Sequence, residues 1–459
     1  MNGRNGLIWT LQNKQLNYNK YFILFIISIF TAYDPCLLAY FIPGVKIIPV
    51  FIILALITFS YNPIKHTSSL SSILKRDNIL LIILATWSLY FAFHAIILQK
   101  TTLEFSLSRI IRIIFFIFLI GNIYNIQYAH KYSKLLIIYG SLVSAYAIAA
   151  AIFLSLDFYG TTSLISVPEL KVEYLFSPWF GFIWPELYVN HFEIGDFKIY
   201  RIFTIFNEPA ALSFFLEPLV FYSYYFYTIT NKHRYLISCI LIICGIISST
   251  SLNGILSIIM TAIAILAIKS KNKLVVLIPL ALLIFIAIII TVKIDYSIIS
   301  TFVYAEQKLK TIDQEILFFQ TGMSMLTSGN DIIFGNGYDF VQNTDFVSAN
   351  VLLSNLQRGG LVGVLFVIMT FIVYIGELKK HLNTESPAVY FACALLPNIF
   401  HLLLKAHYEF TFIYLINYAI VYSFINYMEE GNSARAKFVL SKDKNLNSKQ
   451  YCICHQNVY

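Results

Sequence analysis

YRIFTIFNEPAALSFFLEP, residues 200–218, carries one arginine, two glutamates and two prolines into an otherwise apolar stretch. Arg201 comes first. Glu208 follows seven residues later with Pro209 behind it, and Glu217-Pro218 repeats the pattern deeper in. A carboxylate inside an apolar helix is costly unless it has a partner or a task. How the fold is read depends on whether the surroundings of this stretch are hydrocarbon.

The composition says that they are. Of 459 residues, 58% are hydrophobic and 12% charged, whereas soluble domains run at about 25% charged. Mean hydropathy is +0.72. This is the profile of a polytopic membrane protein, with the bilayer as solvent for most of the chain. No mixed-polarity stretch is long enough to bury a soluble core. The net charge of +8 is scattered through short loops, so it reads as a topology signal and no nucleic-acid partner is expected. No small-residue cleavage site follows the first span, which is expected to act as the anchor. Cys36, Cys239, Cys244 and Cys393 lie in or beside apolar spans, and Cys452 and Cys454 in the tail; no disulfide framework follows. Cys452-Ile453-Cys454-His455 lacks a fourth ligand and the usual spacing, so no metal site is expected. No nucleotide, zinc-hydrolase or serine-hydrolase motif is present, and no cofactor is implied.

A helix needs about 20 apolar residues to cross the bilayer. The expected fold is all-α, with about 12 transmembrane helices: 21–41, 45–61, 79–98, 109–127, 134–156, 202–228, 235–250, 252–268, 274–293, 351–376, 387–404 and 408–427. The pair 235–250 and 252–268 would be joined by a tight turn at Ser248–Asn253. With both termini cytoplasmic, 20 of the 32 Lys and Arg fall in the segments placed inside, as the positive-inside rule requires.

The chain then reads as one membrane domain, 1–459, with two long outer-face loops, 157–200 and 294–350, and a polar cytoplasmic tail, 428–459. The first loop holds Trp179 and Trp184 in SPWFGFIWPELY, an aromatic piece suited to the membrane interface. In the second, Phe302, Leu309, Ile312, Ile316, Phe319, Met323 and Leu326 mark one face of an amphipathic helix. That helix is expected to end at Ser328-Gly329-Asn330, with a Gly-Asn-Gly turn following at 335–337.

Arg201 has two readings: a helix-end arginine snorkelling to lipid phosphate, or a clamp for a diphosphate. Glu208 is either a helix-start residue favoured by the dipole or a general base in a cavity. Glu217 reads as a structural partner for another buried polar group or as a functional carboxylate. Arg358, in LQRGGLVG, needs an anion or carboxylate beside it. Arg109 and Arg112 stand near the end of the fourth span, where arginines are common. His401, His407 and Glu409 cluster near the last outer turn, with a proton relay as the functional reading.

Three stretches together resemble a known family: RIFTIFNEPAAL (201–212), SSTSLNGILSIIMTAIAIL (248–266), and IIFGNGYDF with SANVLLSNLQRGGLVGVLFV inside 332–367. In content and order, and in overall topology, the chain resembles the O-antigen polymerase and ligase superfamily, and within it the polymerases of lipid-linked repeat units. Ligase-like members carry a histidine before the span where this chain has Ser348-Ala349-Asn350, and an arginine early in the amphipathic helix where it has Gln314 and Glu315.

The resemblance implies a glycosyltransferase of the bacterial inner membrane. It would transfer a growing O-antigen or capsule glycan from undecaprenyl diphosphate onto an undecaprenyl-diphosphate-linked repeat unit at the outer face. Arg201 and Glu208 would be catalytic. Arg358, Arg109, Arg112, Asn350, Trp179 and Trp184 would bind substrate. A chain-length regulator and a flippase of the same pathway are the candidate protein partners. A ligase-type glycan transferase and a flippase or transporter stay open as alternatives.

Overall fold

The computed structural model describes residues 78–123, 126–156, 163–167, 172–177, 181–183, 191–194, 197–200, 202, 204–206, 208–269, 329–338, 351–381, 386–405 and 411–425. The first two expected spans, the ninth span, the amphipathic helix and the tail lie outside these residues. The helices are α1 (Asn78–Ile96), α2 (Leu103–Asn122), α3 (Ile126–Ser155), α4 (Pro209–Thr230), α5 (His233–Ser248), α6 (Leu252–Lys269), α7 (Gly329–Phe334), α8 (Val351–His381), α9 (Ala388–Ala392), α10 (Leu396–Lys405) and α11 (Phe412–Ile425). A single 3-10 turn, Cys393–Leu395, joins α9 to α10.

Among the described residues, three helices are long and apolar enough to cross a membrane: Ile79–Ile96, Tyr128–Ser155 and Val351–Lys379. Shorter apolar helices cover His233–Ser248, Asn253–Leu266, Ala388–Leu404 and Phe412–Ile425. The exposed faces are apolar: Ile79, Ile82 and Leu89 on α1, Ile111 and Ile114 on α2, Ile237 and Ile240 on α5, and Leu361 and Leu365 on α8. The interior meanwhile holds Glu217, Asn398 and His401 at 0% exposure. Isoleucine outside and ionisable groups inside is the arrangement that suits hydrocarbon as solvent.

α4 is the central helix. It packs against α3, α5, α6, α9 and α10, and most of its residues are buried. Pro209 opens it at the position where a missing N–H costs nothing. Asn231 closes it in the left-handed conformation, its N–H bonded to Tyr227 O at 2.8 Å. The tight turn expected after α5 is present: Ser249 and Thr250 donate their N–H groups back into α5, and α6 begins at Leu252.

α8 is broken at Gly360 (φ 61°, ψ −161°). The Gly335–Gly337 turn seats itself on this break. Asn336 N–H donates to Gln357 O at 2.9 Å and Gly337 N–H to Arg358 O at 2.8 Å. The approach is possible because no Cβ intervenes: one at Gly335 would collide with Arg358 O, and one at Gly360 with Ile333 O. The sequence reading ended a helix at residues 328–330, but the short helix α7 starts there and carries the chain into the turn.

Segment 163–200, read as a loop, contains strands β1 (Ser163–Val167), β2 (Val172–Ser177), β3 (Gly181–Ile183), β4 (His191–Ile194) and β5 (Phe197–Tyr200). They pair antiparallel as β1-β2-β3 and β4-β5, with Ile165 opposite Tyr174 and Glu193 opposite Lys198. Runs as short as SLISV and FKIY give little periodicity to read, and close pairing satisfies backbone that a loop would leave open. The all-helical expectation therefore holds for the packed helices and not for this segment.

Gly360→Ala is expected to destabilise the detergent-purified protein by at least about 1–3 kcal/mol, since it adds left-handed strain to the collision with Ile333 O. Gly376→Ala, where a Cβ meets nothing within 4 Å, is expected to be neutral or to gain about 0.5–1 kcal/mol of helix stability. Thermal melting of the two variants side by side checks this.

Candidate functional site

Pro218 lies inside α4. It has no N–H for the carbonyl four residues back, which belongs to Phe214. Asn398 supplies the missing donor: its Nδ2 bonds Phe214 O at 2.7 Å and lies 3.4 Å from Glu217 Oε2. Glu217 Oε1 in turn pairs with His401 Nδ1 at 2.5 Å. Asn398 and His401 are three residues apart on α10, so they share one face of it. Ser257 of α6 also hydrogen-bonds Glu217. The result is a fully buried carboxylate–imidazole pair where α4, α6 and α10 meet.

Two local features bring these helices together. Gly254 lets α6 approach α4: a Cβ there would stand 2.5 Å from Ser213 Cβ and 3.3 Å from Glu217 Oε1. Pro397, the second residue of α10, accompanies the 3-10 turn that precedes it. There Leu396 N–H bonds Cys393 O in place of Ala392 O, and Tyr374 of α8 donates its hydroxyl to Ala392 O at 2.6 Å.

A second polar cluster gathers where α1 ends and α8 begins. Lys100 Nζ bonds Asp331 Oδ1 at 2.6 Å and Gly335 O at 2.7 Å. Tyr90 donates its hydroxyl to Gly359 O at 2.6 Å and sits 2.9 Å from His94 Nε2. Tyr338 N–H donates to Thr101 Oγ1 at 2.9 Å. These contacts fix the Gly335–Gly337 turn against both helices. Both clusters lie toward one end of the bundle, where α1 and α10 finish and α4, α6, α8 and α11 start.

The residues singled out from sequence fare differently. Arg201, Asn350, Trp179, Trp184, His407 and Glu409 lie outside the described residues. Glu208 is the N-cap of α4, in extended conformation and half-buried, with no side-chain capping bond. Arg358 is only 5% exposed and sits at the break in α8. Arg109 lies over the ring of Phe105, 4.7 Å from its centre, and Arg112 over Phe412 at 5.4 Å. All four belong to the same end of the bundle. Glu217 has the buried polar partner that its sequence context called for. Asn398 went unremarked, yet it joins the proline-freed carbonyl to the carboxylate. Its signal, a proline followed by a buried amide in LLPNIFH, is legible only once α4 is known to lie alongside. Cys239, Cys244 and Cys393 are free thiols.

Breaking a buried pair by removing one partner costs about 3–5 kcal/mol. Glu217→Ala is expected to lower the melting temperature accordingly, and Glu217→Gln, which keeps the shape and a hydrogen bond to His401, to lower it much less. Melting of both variants in detergent decides this, and an alanine variant as stable as wild type would show the pair to be dispensable for folding.

The chain matches no family model, no curated protein and no solved structure.

Proposed function

We propose that this chain is a membrane glycan transferase of the repeat-unit polymerase type, acting at the end of the bundle that carries Glu208, Arg109, Arg112 and Arg358. The observation that carries the reading is placement: Arg358 is buried at the break in α8, on which the turn held by Lys100 sits, Arg112 of α2 lies over Phe412 at the start of α11, and α11 meets the start of α4 through Tyr414 and Phe214. The donor is a growing glycan on undecaprenyl diphosphate and the acceptor a repeat unit on the same lipid, at the outer face of the inner membrane. The acceptor hydroxyl attacks the anomeric carbon, the glycosidic bond to the diphosphate breaks, and the diphosphate leaves with the electron pair. Fixed positive charge where that negative charge develops is the largest single aid to such a step. Arg201, Arg109, Arg112 and Arg358 are the residues assigned to it. Glu208, half-buried and without a capping bond of its own, is assigned to accept the hydroxyl proton. Asn350, Trp179 and Trp184 are assigned to the sugars.

A proton-coupled carrier for a lipid-linked glycan is the second reading. It is favoured by Glu217–His401, because ionisable pairs buried in such helices recur in proton relays.

A host deleted for this chain and complemented with wild type, Arg201→Ala or Glu208→Ala separates the readings by a gel of its surface glycan. Polymerase activity predicts single repeats without a ladder in the deletion, a ladder restored by wild type, and no ladder with normally expressed Arg201→Ala. Long chains retained on the lipid diphosphate would indicate a ligase. Repeat units trapped on the cytoplasmic face would indicate a carrier.

A further inference from the structure

At the end of the bundle opposite Glu208, where α3 and α5 start and α4 finishes, α3 and α5 run side by side in the same direction. Two contacts set their register. Gly245 of α5 meets Ser144 of α3: a Cβ on the glycine would stand 2.6 Å from Ser144 Cβ. Ten residues back along each helix, Lys134 and Tyr235 meet through a ring of α4. Lys134 Nζ lies 4.8 Å from the centre of the Phe226 ring, and Phe226 stacks on Tyr235 at 5.3 Å. Arg234 lies over the Tyr235 ring at 4.8 Å and donates from Nη2 to its hydroxyl at 3.1 Å. Lysine, phenylalanine, tyrosine and arginine thus form one run of contacts across three helices.

The rings are buried and the cations are not. Phe226 and Tyr235 are buried, with His130 set edge-on to Phe226 at 5.2 Å, whereas Lys134 and Arg234 are exposed. A ring face attracts a cation without neutralising it, so both charges are held at the surface and kept. Among the described residues, no carboxylate pairs with either; the described carboxylate of this end, Glu377, is on α8. The first turn of α5 has no acidic residue, so Arg234 adds positive charge to the positive pole of its helix. Beyond the cations the exposed rows become apolar: Ile138 and Leu142 continue the row of Lys134 on α3, and Ile237, Ile240 and Cys244 that of Arg234 on α5. From Lys134 to Ser155, α3 measures about 33 Å at 1.5 Å per residue. That is close to the thickness of a hydrocarbon core and puts Lys134 at headgroup level.

We propose that the Lys134–Arg234 face of α3 and α5 binds anionic glycerophospholipid, with phosphodiester headgroups at the two cations and acyl chains along the apolar rows beyond them. Charge complementarity selects the head. A phosphodiester supplies the negative charge that the described protein groups do not, and a guanidinium can give it two parallel N–H donors. The rows select the tails: a soluble phosphate would leave Ile138, Leu142, Ile237 and Ile240 uncovered. Basic residues beside a membrane are drawn to anionic lipid in general. Here ring contacts hold two of them in place, whereas Lys232 and Lys379, exposed at the same end, lie over no described ring. The site stands at the far end from the groups assigned to glycan transfer and does not rest on that reading.

The test melts full-length protein in dodecylmaltoside micelles carrying either dioleoylphosphatidylcholine or dioleoylphosphatidylglycerol. Wild type is compared with the double variant Lys134→Gln, Arg234→Gln and with Lys232→Gln, Lys379→Gln, which removes the same charge from the same end. A ligand of the folded state raises its stability. Phosphatidylglycerol is therefore expected to raise the melting temperature of wild type and of the Lys232, Lys379 variant above the phosphatidylcholine value. The Lys134, Arg234 variant is expected to lose most of that rise. No rise in wild type, or an equal loss in both variants, would overturn the proposal. Glycerol 3-phosphate is expected to give no rise; one as large as that from phosphatidylglycerol would make this a soluble-phosphate site and overturn the lipid assignment. Should the Lys134, Arg234 variant fail to fold, wild type decides. It is photolysed in vesicles with phosphatidylglycerol carrying a diazirine in one acyl chain, and labelled peptides are read by mass spectrometry. Labelling of 135–142 and 237–244 several-fold above that of the exposed row of α1, 79–89, supports the site, and equal labelling of the three rules it out. Neither readout depends on glycan transfer.

Discussion

A helix interrupted inside an apolar bundle leaves carbonyl oxygens that water does not reach, and each must find a donor from elsewhere in the protein. Among the described residues the helices are interrupted at three places, and each interruption is answered by another element. Pro218 frees Phe214 O, which Asn398 takes. The turn before Pro397 frees Ala392 O, which Tyr374 takes. The break at Gly360 exposes the carbonyls of Gln357, Arg358 and Gly359. These are taken by the N–H groups of Asn336 and Gly337 and by the Tyr90 hydroxyl. The breaks work as joints: α4 is bound to α10, α8 to the 3-10 turn below α10, and α8 to α1 and the 335–337 turn.

The same constraint explains where the ionisable groups sit. Asn398 is required by the proline, and once its amide is in place, its second donor position falls beside Glu217. A carboxylate there still needs a proton or a charge to balance it, and His401, one turn further along α10, supplies either. The polar interior is thus assembled stepwise from a backbone defect, and Gly254 keeps α6 close enough for Ser257 to complete it.

How much of this the sequence disclosed follows from how local each interaction is. Glu217-Pro218, the adjacent glycines in LQRGG and the Gly-Asn-Gly turn are contiguous signals, and each pointed to a place where backbone or charge needed a special answer. The answers themselves are remote. His401 lies 184 residues from Glu217, and Tyr90 is 269 residues from Gly359; no spacing rule reaches so far. Helix existence was legible from apolar runs, as in the close pair α5 and α6. The break inside 351–376 was not, because Gly359-Gly360 in a long apolar run suits close packing as well as a kink. The strands of 163–200 escaped for the opposite reason: runs of three to six residues carry too little pattern.

The break in α8 also bears on what the bundle can do. Where discontinuous helices bind coupling ions, they do so with carbonyls left open to the ligand. Here the Gln357 and Arg358 carbonyls already accept hydrogen bonds from a turn that Lys100 pins through Asp331 and Gly335, and the Gly359 carbonyl accepts one from the Tyr90 hydroxyl. A break closed this way holds the backbone at Arg358 in a fixed place. Fixed positive charge is what preorganised stabilisation of a leaving diphosphate requires, whereas a gate requires a joint that opens. The locked joint therefore weighs toward the transferase.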